Sequence, residues 1–171
     1  MSENAPTYLR TLKTTAAVLM GALVAILVAV TVVLGDQATG TTPVGWTLLV
    51  VGLGLVLTVL IPVVGYRFTP IAPGTPAEEA RASVVAQLQG TTILRFALAE
   101  SVGIVGVAVA FLVDEGGFYP LLLGVAMAEL LMFWHVWPGD RVLGRAQGEL
   151  EREGGQSYFR EALDSPAPPT R

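Results

Sequence analysis

The chain has 171 residues, of which 53% are hydrophobic and only 14% are charged. A soluble domain carries about 25% charged residues, so this composition indicates a protein that crosses a membrane several times. The formal net charge is −4 and no basic cluster occurs, which argues against nucleic-acid binding. The absence of cysteine excludes disulfides, thiolate catalysis and cysteine-ligated metals. The nine arginines against one lysine are typical of a GC-rich bacterial genome.

Four apolar blocks are long enough to cross a bilayer. A helix rises about 1.5 Å per residue, so about 20 apolar residues cross a hydrocarbon core of about 30 Å. The predicted spans are 14–34, 46–66, 92–113 and 118–137. The first is too long for the apolar region of a signal peptide. Short connections follow spans one and three. We therefore predict an all-α, four-helix membrane bundle over residues 1–137, built as two hairpins.

The basic residues predict the orientation of this bundle. All ten lie at the N-terminus, in or beside the loop between spans two and three, or after span four. The positive-inside rule therefore predicts that both termini are cytoplasmic and that the protein resides in the inner (plasma) membrane. Interfacial aromatic residues agree; Trp46 and Tyr119 are predicted at the outer surface, and Tyr66, Trp134 and Trp137 at the inner one.

The loop before span three contains a helix-start pattern. Thr75-Pro76-Ala77-Glu78 fits a capping box with proline at the first helical position. We therefore predict a helix that begins there and continues into span three, with a bend at Gly90.

The segment 138–171 is polar. Its apolar spacing predicts a short helix over 140–152, followed by a last turn capped by Ser157 and a disordered Pro-rich end. We interpret this tail as a solvated or interfacial appendage. The alternative is a docking site for a cytoplasmic partner.

Charged side chains occur inside the last two spans. Glu100 lies within span three, and a carboxylate in hydrocarbon is costly enough to mark a candidate functional site. Arg95 and Ser101 share that span, while Glu129 and His135 lie in span four. The helical rise places Glu100 about 7.5 Å inward from Arg95 and Glu129 about 12 Å from the end of span four. One hairpin is therefore expected to gather two carboxylates, an arginine and a histidine.

Span three also carries a stripe of small residues, Ala99, Gly103, Gly106 and Ala110. Their spacings of four, three and four place them on one narrow helix face. Such a face lets two membrane helices approach closely. Glu100 is expected beside this face.

The segment 91–112 resembles the second helix of the c subunit, or proteolipid, of rotary ATP synthases. That family places an ion-carrying carboxylate in an Ala-Leu-Ala-Glu-like context, followed by an Ile-Tyr-Gly-like triplet. Here Ala97-Leu98-Ala99-Glu100 and Ile104-Val105-Gly106 occupy those places. The resemblance implies that Glu100 binds a proton or sodium ion and that Ser101 matches a hydroxyl beside it.

The resemblance covers about one span. Val105 stands where the family usually has tyrosine, and Arg95 has no ordinary counterpart so near the carboxylate. Even if the second span is included with the third, two further spans and the tail lie outside the resemblance. The sequence therefore indicates a c-subunit-like helix within a different four-span protein, not a rotor subunit.

Two interpretations of the polar residues stay open. In the first, Glu100, Ser101 and Glu129 bind a proton or cation, with self-association into a homo-oligomer. In the second, Arg95 neutralises a carboxylate and the cluster is structural glue in an accessory protein of another membrane complex. For His135 we favour the role of an interfacial aromatic residue over that of a charge partner or proton relay. No nucleophile–base pair, metal motif or phosphate loop occurs, so we predict no enzyme, metal or cofactor.

Overall fold

The computed structural model describes residues 7–166, and every regular element in that range is helical. The helices are α1 (Tyr8–Leu34), α2 (Val44–Val64), α3 (Ala77–Leu112), α4 (Phe118–His135), α5 (Asp140–Glu151) and α6 (Phe159–Asp164), with a 3₁₀ turn at Gly35–Ala38. The helices α1 to α4 are each long and apolar enough to cross a membrane. The predicted all-helical class and the number of candidate spans are therefore confirmed.

The centre of the bundle is the antiparallel pair of α3 and α4. A methyl group added to Gly106 would lie 2.9 Å from Cα of Gly124, and one added to Gly124 would lie 2.7 Å from Cα of Gly106. Only glycine at both positions allows this approach of the two backbones, as is common where membrane helices cross. The α3–α4 pair is therefore a close backbone contact that larger side chains would separate.

Helices α1 and α2 each pack mainly against α4 and α3, and have few contacts with each other. Leu23 of α1, and Val50, Leu57 and Ile61 of α2, are buried in the resulting core. The outward faces of both helices remain apolar and exposed, with Val59 70% exposed. An apolar surface of this extent is typical of helices that hydrocarbon surrounds.

The connections after α1 and α3 meet at one end of the bundle. The side chain of Gln37 donates a hydrogen bond to the carbonyl of Val113. The hydroxyl of Thr42 donates to the carbonyl of Gly116 at 2.5 Å. Gly116 has φ of +72°, which glycine adopts without strain. Hydrogen bonds thus tie the two short loops together.

The opposite end carries a second apolar core, which we call the head. The 36 residues of α3 extend for about 54 Å, more than the hydrocarbon core of about 30 Å, so its first turns project beyond the bundle. The head comprises these turns, α5, α6 and the loop 66–71. Its buried side chains are Tyr8, Tyr66, Phe68, Ile71, Ala80, Val84, Leu88, Val142, Ala146, Leu150, Phe159, Ala162 and Leu163.

The tail differs from the solvated appendage that its sequence predicts. Helix α5 begins and ends within one residue of the predicted range, but it buries Val142, Ala146 and Leu150 inside the head. Its partner surface comes from distant segments, and the amide of Ile71 donates to the carbonyl of Leu150 at 2.8 Å. The predicted disordered end lies outside the described residues from position 167 onward.

Both ends of the described chain lie beside each other at the head. The amide of Tyr8 donates to the carbonyl of Ser165 at 2.9 Å. Thr7 and Pro166 form an isolated antiparallel bridge. The start of the first span is therefore fixed to the end of the tail.

Three predicted local features differ in the structure. Thr75 does not cap α3, because its hydroxyl donates backwards to the carbonyl of Ala72 at 2.7 Å and the helix begins at Ala77. Helix α3 continues through Gly90 without interruption. Ser157 does not cap α6, since its side chain donates to the carboxylate of Glu151 at 2.5 Å. In two cases the expected capping side chain bonds to a residue that precedes it in the chain, and in the third the helix simply continues.

Candidate functional site

Arg95 is fully buried at 0% exposure in α3. Its Nε donates to the carbonyl of Thr91 and its Nη2 to the hydroxyl of Thr92, both at 3.0 Å. The third nitrogen, Nη1, is buried without a hydrogen-bond partner. Within residues 7–166, every ion pair shorter than about 4 Å involves Arg81 or Arg152 instead. The buried charge of Arg95 is therefore not neutralised by a carboxylate, an arrangement that costs several kcal/mol unless other groups compensate.

The ring of Tyr66 supplies part of that compensation. The Cζ atom of Arg95 lies 4.5 Å from the centroid of the ring, and that of Arg145 lies 4.1 Å from the same centroid. A cation over an aromatic ring is stabilised by about 0.5–2 kcal/mol, and more so away from water. Tyr66 is itself only 5% exposed. One aromatic ring thus holds guanidinium groups from α3 and α5.

His135 completes the cluster at the end of α4. The hydroxyl of Tyr66 lies 3.5 Å from Nδ1 of His135 and donates to the His135 carbonyl at 3.4 Å. These distances are at the long limit of hydrogen bonding, so the contacts are weak. The two rings also meet edge to face, with centroids 6.1 Å apart. We call Tyr66, Arg95, His135 and Arg145 the junction cluster, because they join the bundle to the head.

Glycine at position 65 makes the cluster possible. A methyl group there would lie 2.4 Å from Cγ of Arg95. The chain leaves α2 at this point, so Gly65 lets the arginine stem pass directly against the backbone. Arg145 is fixed from the other side, since its Nη2 donates to the carbonyl of Pro62 at 2.9 Å. The helix end of α2 is therefore clamped between α3 and α5.

Neither predicted carboxylate joins this cluster. Glu100 and Glu129 are both half-buried, and neither forms an ion pair with Arg95. Residues five apart on a helix are about 140° apart around its axis, so Arg95 and Glu100 point away from each other. Oε1 of Glu129 is buried with no hydrogen-bond partner. The structure thus brings Arg95 and His135 together but leaves the carboxylates apart from them.

The other candidate residues of span three form contacts within α3 or between α3 and its neighbours. The hydroxyl of Ser101 donates to the carbonyl of Leu98 at 2.7 Å, within its own helix. Ala99 and Ala110 are completely buried. A methyl group on Gly103 would lie 3.5 Å from Cβ of Ala128, so this part of the stripe faces α4.

Sequence reasoning missed the role of Tyr66 and of the arginines on α5. Tyr66 was predicted only as an interfacial aromatic residue, and Arg145 only as one of several basic residues. A usable signal was present, because Arg141 and Arg145 are four apart and therefore share one helix face. Arg141 places its Cζ 3.3 Å from the ring centroid of Trp134. Arg141 thus rests on a ring of α4, and Arg145 on the ring of Tyr66 just beyond the end of α2.

The side chains of residues 7–166 include no group of three or more histidines and carboxylates placed to hold a metal ion. The polar chemistry of the described chain is instead concentrated in arginine and aromatic contacts. No protein-family model, curated protein or solved structure matches this chain. The likeness of 91–112 to the proteolipid helix therefore stays a prediction from sequence.

Proposed function

We propose that this chain is a non-enzymatic, multi-pass membrane protein that holds a compact helical head at the cytoplasmic surface as an accessory or assembly subunit. The observation that carries the proposal is the junction cluster. Arg95 of the bundle and Arg145 of the head lie against one ring, that of Tyr66. The clamp positions the head against the bundle.

The distribution of charge supports a cytoplasmic head. The basic side chains of the junction lie at the end where α1 begins and α6 ends. The loops at the other end expose Asp36, Asp114 and Glu115 and carry no basic residue. Basic residues are retained on the cytoplasmic side during insertion.

The orientation can be tested with single cysteines, because the natural chain has none. We expect Thr41→Cys to react with a membrane-impermeant maleimide in intact spheroplasts. We expect Gln156→Cys to react only after permeabilisation. Both positions are exposed, so reagent access depends on the side of the membrane alone. Labelling of Gln156→Cys in intact spheroplasts would contradict the proposed orientation.

Binding of a proton or cation by the intramembrane carboxylates is a second candidate function. The buried, unpartnered Oε1 of Glu129 favours it, because a carboxylate oxygen without a donor in hydrocarbon is stabilised by a proton or a cation. Glu100 is half-buried and open to a neighbouring molecule. In this candidate, a homo-oligomer covers Glu100 and alternately shields and exposes it, with Ser101 beside it.

A hydrophobic carbodiimide tests this candidate, since it reacts with protonated carboxyl groups in lipid. We expect labelling to fall as the pH rises or as sodium is added. We expect Glu129→Gln or Glu100→Gln to reduce the labelling severalfold. Glu153→Gln, which alters an exposed residue of the head region, is the matched control and leaves labelling unchanged. Labelling that is absent, or indifferent to both pH and sodium, argues decisively against ion exchange.

A further inference from the structure

A groove between α2 and α4 opens toward the start of the head. Its volume is about 490 Å³, within the range of about 300–1,000 Å³ typical of ligand pockets. Met127, Leu130 and Phe133 of α4 form much of its apolar wall, with Thr58 of α2 opposite. His135 of the junction cluster lies at one end of it.

A second hollow of about 220 Å³ continues from this groove at the beginning of α5. Phe133 and Trp134 line both spaces, so the two lie side by side. Asp140 and Arg141 line the second hollow. The whole feature therefore has a long apolar part beside the spanning helices and a short charged part at the head.

The charged part is lined by Asp140 and Arg141, and Arg145 lies one helical turn beyond it without lining either hollow, so these three side chains together carry a net positive charge. Arg141 rests on Trp134, and Arg145 follows one turn later over Tyr66. Neither forms an ion pair within the described range, and Nη1 of the buried Arg95 has no partner. Asp140 is the only carboxylate that lines either hollow. Like charges gathered at a low-dielectric boundary favour a bound anion.

We propose that this feature binds one anionic phospholipid. Its acyl chain lies in the groove between α2 and α4, and its phosphate accepts hydrogen bonds from Arg141 and Arg145. Guanidinium groups bind phosphate with two parallel hydrogen bonds, and the exposed apolar groove is filled by hydrocarbon when the helices are in a bilayer. The lipid then bridges bundle and head beside the junction cluster. This inference rests on the proposed membrane orientation, which the maleimide experiment tests separately.

Native mass spectrometry of the detergent-purified full chain tests the site. Phosphatidylglycerol and phosphatidylcholine with identical chains are added in turn. Basic residues at a membrane surface contribute about 1 kcal/mol each, so we expect Arg141→Gln with Arg145→Gln to weaken retention of phosphatidylglycerol about thirtyfold. The double variant Arg141→Lys with Arg145→Lys preserves the charge, and we expect it to weaken retention of phosphatidylglycerol severalfold at most. Arg152→Gln with Arg160→Gln removes the same charge from exposed residues that rest on neither Trp134 nor Tyr66, and leaves retention unchanged.

Because Arg145 also contacts Pro62 and Tyr66, Arg141→Gln is measured alone as well, with about fivefold weaker retention expected. Excess inorganic phosphate is not expected to displace the lipid, because the acyl chain in the groove between α2 and α4 also contributes to binding. Equal retention of the two lipids by the wild-type chain overturns the proposal. Equal losses of lipid retention in the Arg141→Gln, Arg145→Gln variant and in the Arg152→Gln, Arg160→Gln control overturn it too. Full displacement of the lipid by inorganic phosphate also overturns it, because that result indicates a simple anion site.

Discussion

Gly106→Leu is expected to destabilise the bundle by about 3 kcal/mol or more. Even the first carbon of the new side chain would lie 2.7 Å from the carbonyl oxygen of Pro120 and 2.9 Å from Cα of Gly124. These are backbone atoms, so no side-chain rotation relieves the clash. The helices α3 and α4 must separate, and the core that α1 and α2 build on them loosens. Titration with dodecyl sulfate, followed by tryptophan fluorescence in lipid–detergent micelles, measures the free energy of unfolding.

Gly21→Leu is the matched control for this change. Gly21 lies in α1, and apart from its chain neighbours and the adjacent backbone of its own helix no atom lies within 4 Å of the position that its Cβ would occupy. The same chemical substitution at that site faces open space, so its effect on the free energy of unfolding is expected to stay within about 0.5 kcal/mol. If the two variants unfold at the same detergent fraction, the α3–α4 contact is not the centre of the bundle.

Tyr66→Leu is expected to release the head from the bundle at a cost of about 2–4 kcal/mol. Leucine keeps an apolar side chain near the site but has no aromatic face for Arg95 and Arg145. Both guanidinium groups then lie at the junction without a partner ring. Double electron–electron resonance between spin labels on Leu48→Cys in α2 and Gly148→Cys in α5 is expected to broaden from one narrow distance to a wide distribution. Both label positions are exposed.

Tyr66→Phe separates the ring from its hydroxyl. Phenylalanine keeps the aromatic face and loses only the 3.4 and 3.5 Å contacts with His135. These contacts are long, so we expect a loss below about 1 kcal/mol and an unchanged distance distribution. A Tyr66→Phe variant as loose as Tyr66→Leu would mean that the hydroxyl, not the cation–ring contact, joins the head to the bundle.

The spanning helices were predictable because their signals are local. About 20 consecutive apolar residues suffice to define each span, and a spacing of four, three and four is enough to place Gly103 and Gly106 on one face. The partner of that face was not predictable in the same way. Gly124 is the single glycine of α4, but nothing in the local sequence of that helix shows that Gly106 is its partner.

The head was not predictable, because its core is assembled from segments far apart in the chain. The spacing of Val142, Ala146 and Leu150 indicates an apolar helix face, but its cover comes from α3 and the loop 66–71. The amphipathic pattern of α5 therefore fits a membrane surface, a partner protein or its own chain equally well. Only the tertiary structure distinguishes them.

The polar site shows the same limit. Sequence proximity suggested that Arg95 would neutralise a carboxylate, and Glu100 is the nearest one along the helix. Helix geometry turns these side chains apart, and the ring that meets Arg95 belongs to Tyr66 at the end of α2. A cation–ring contact has no spacing rule between helices. The sequence indicates Tyr66 as an interfacial aromatic residue and Arg95 as a charge inside span three, but it does not indicate that the two meet.

The attachment of the head to the bundle is tested most directly by the distance between α2 and α5 in the otherwise unaltered chain. Spin labels on Leu48→Cys and Gly148→Cys, with the protein in lipid nanodiscs, report whether the head is fixed to the bundle. We expect one narrow distance distribution, because Tyr66 holds Arg95 and Arg145 together. A broad distance distribution, or one with several maxima, in the chain with the unaltered junction would mean that the junction cluster does not fix the head to the bundle.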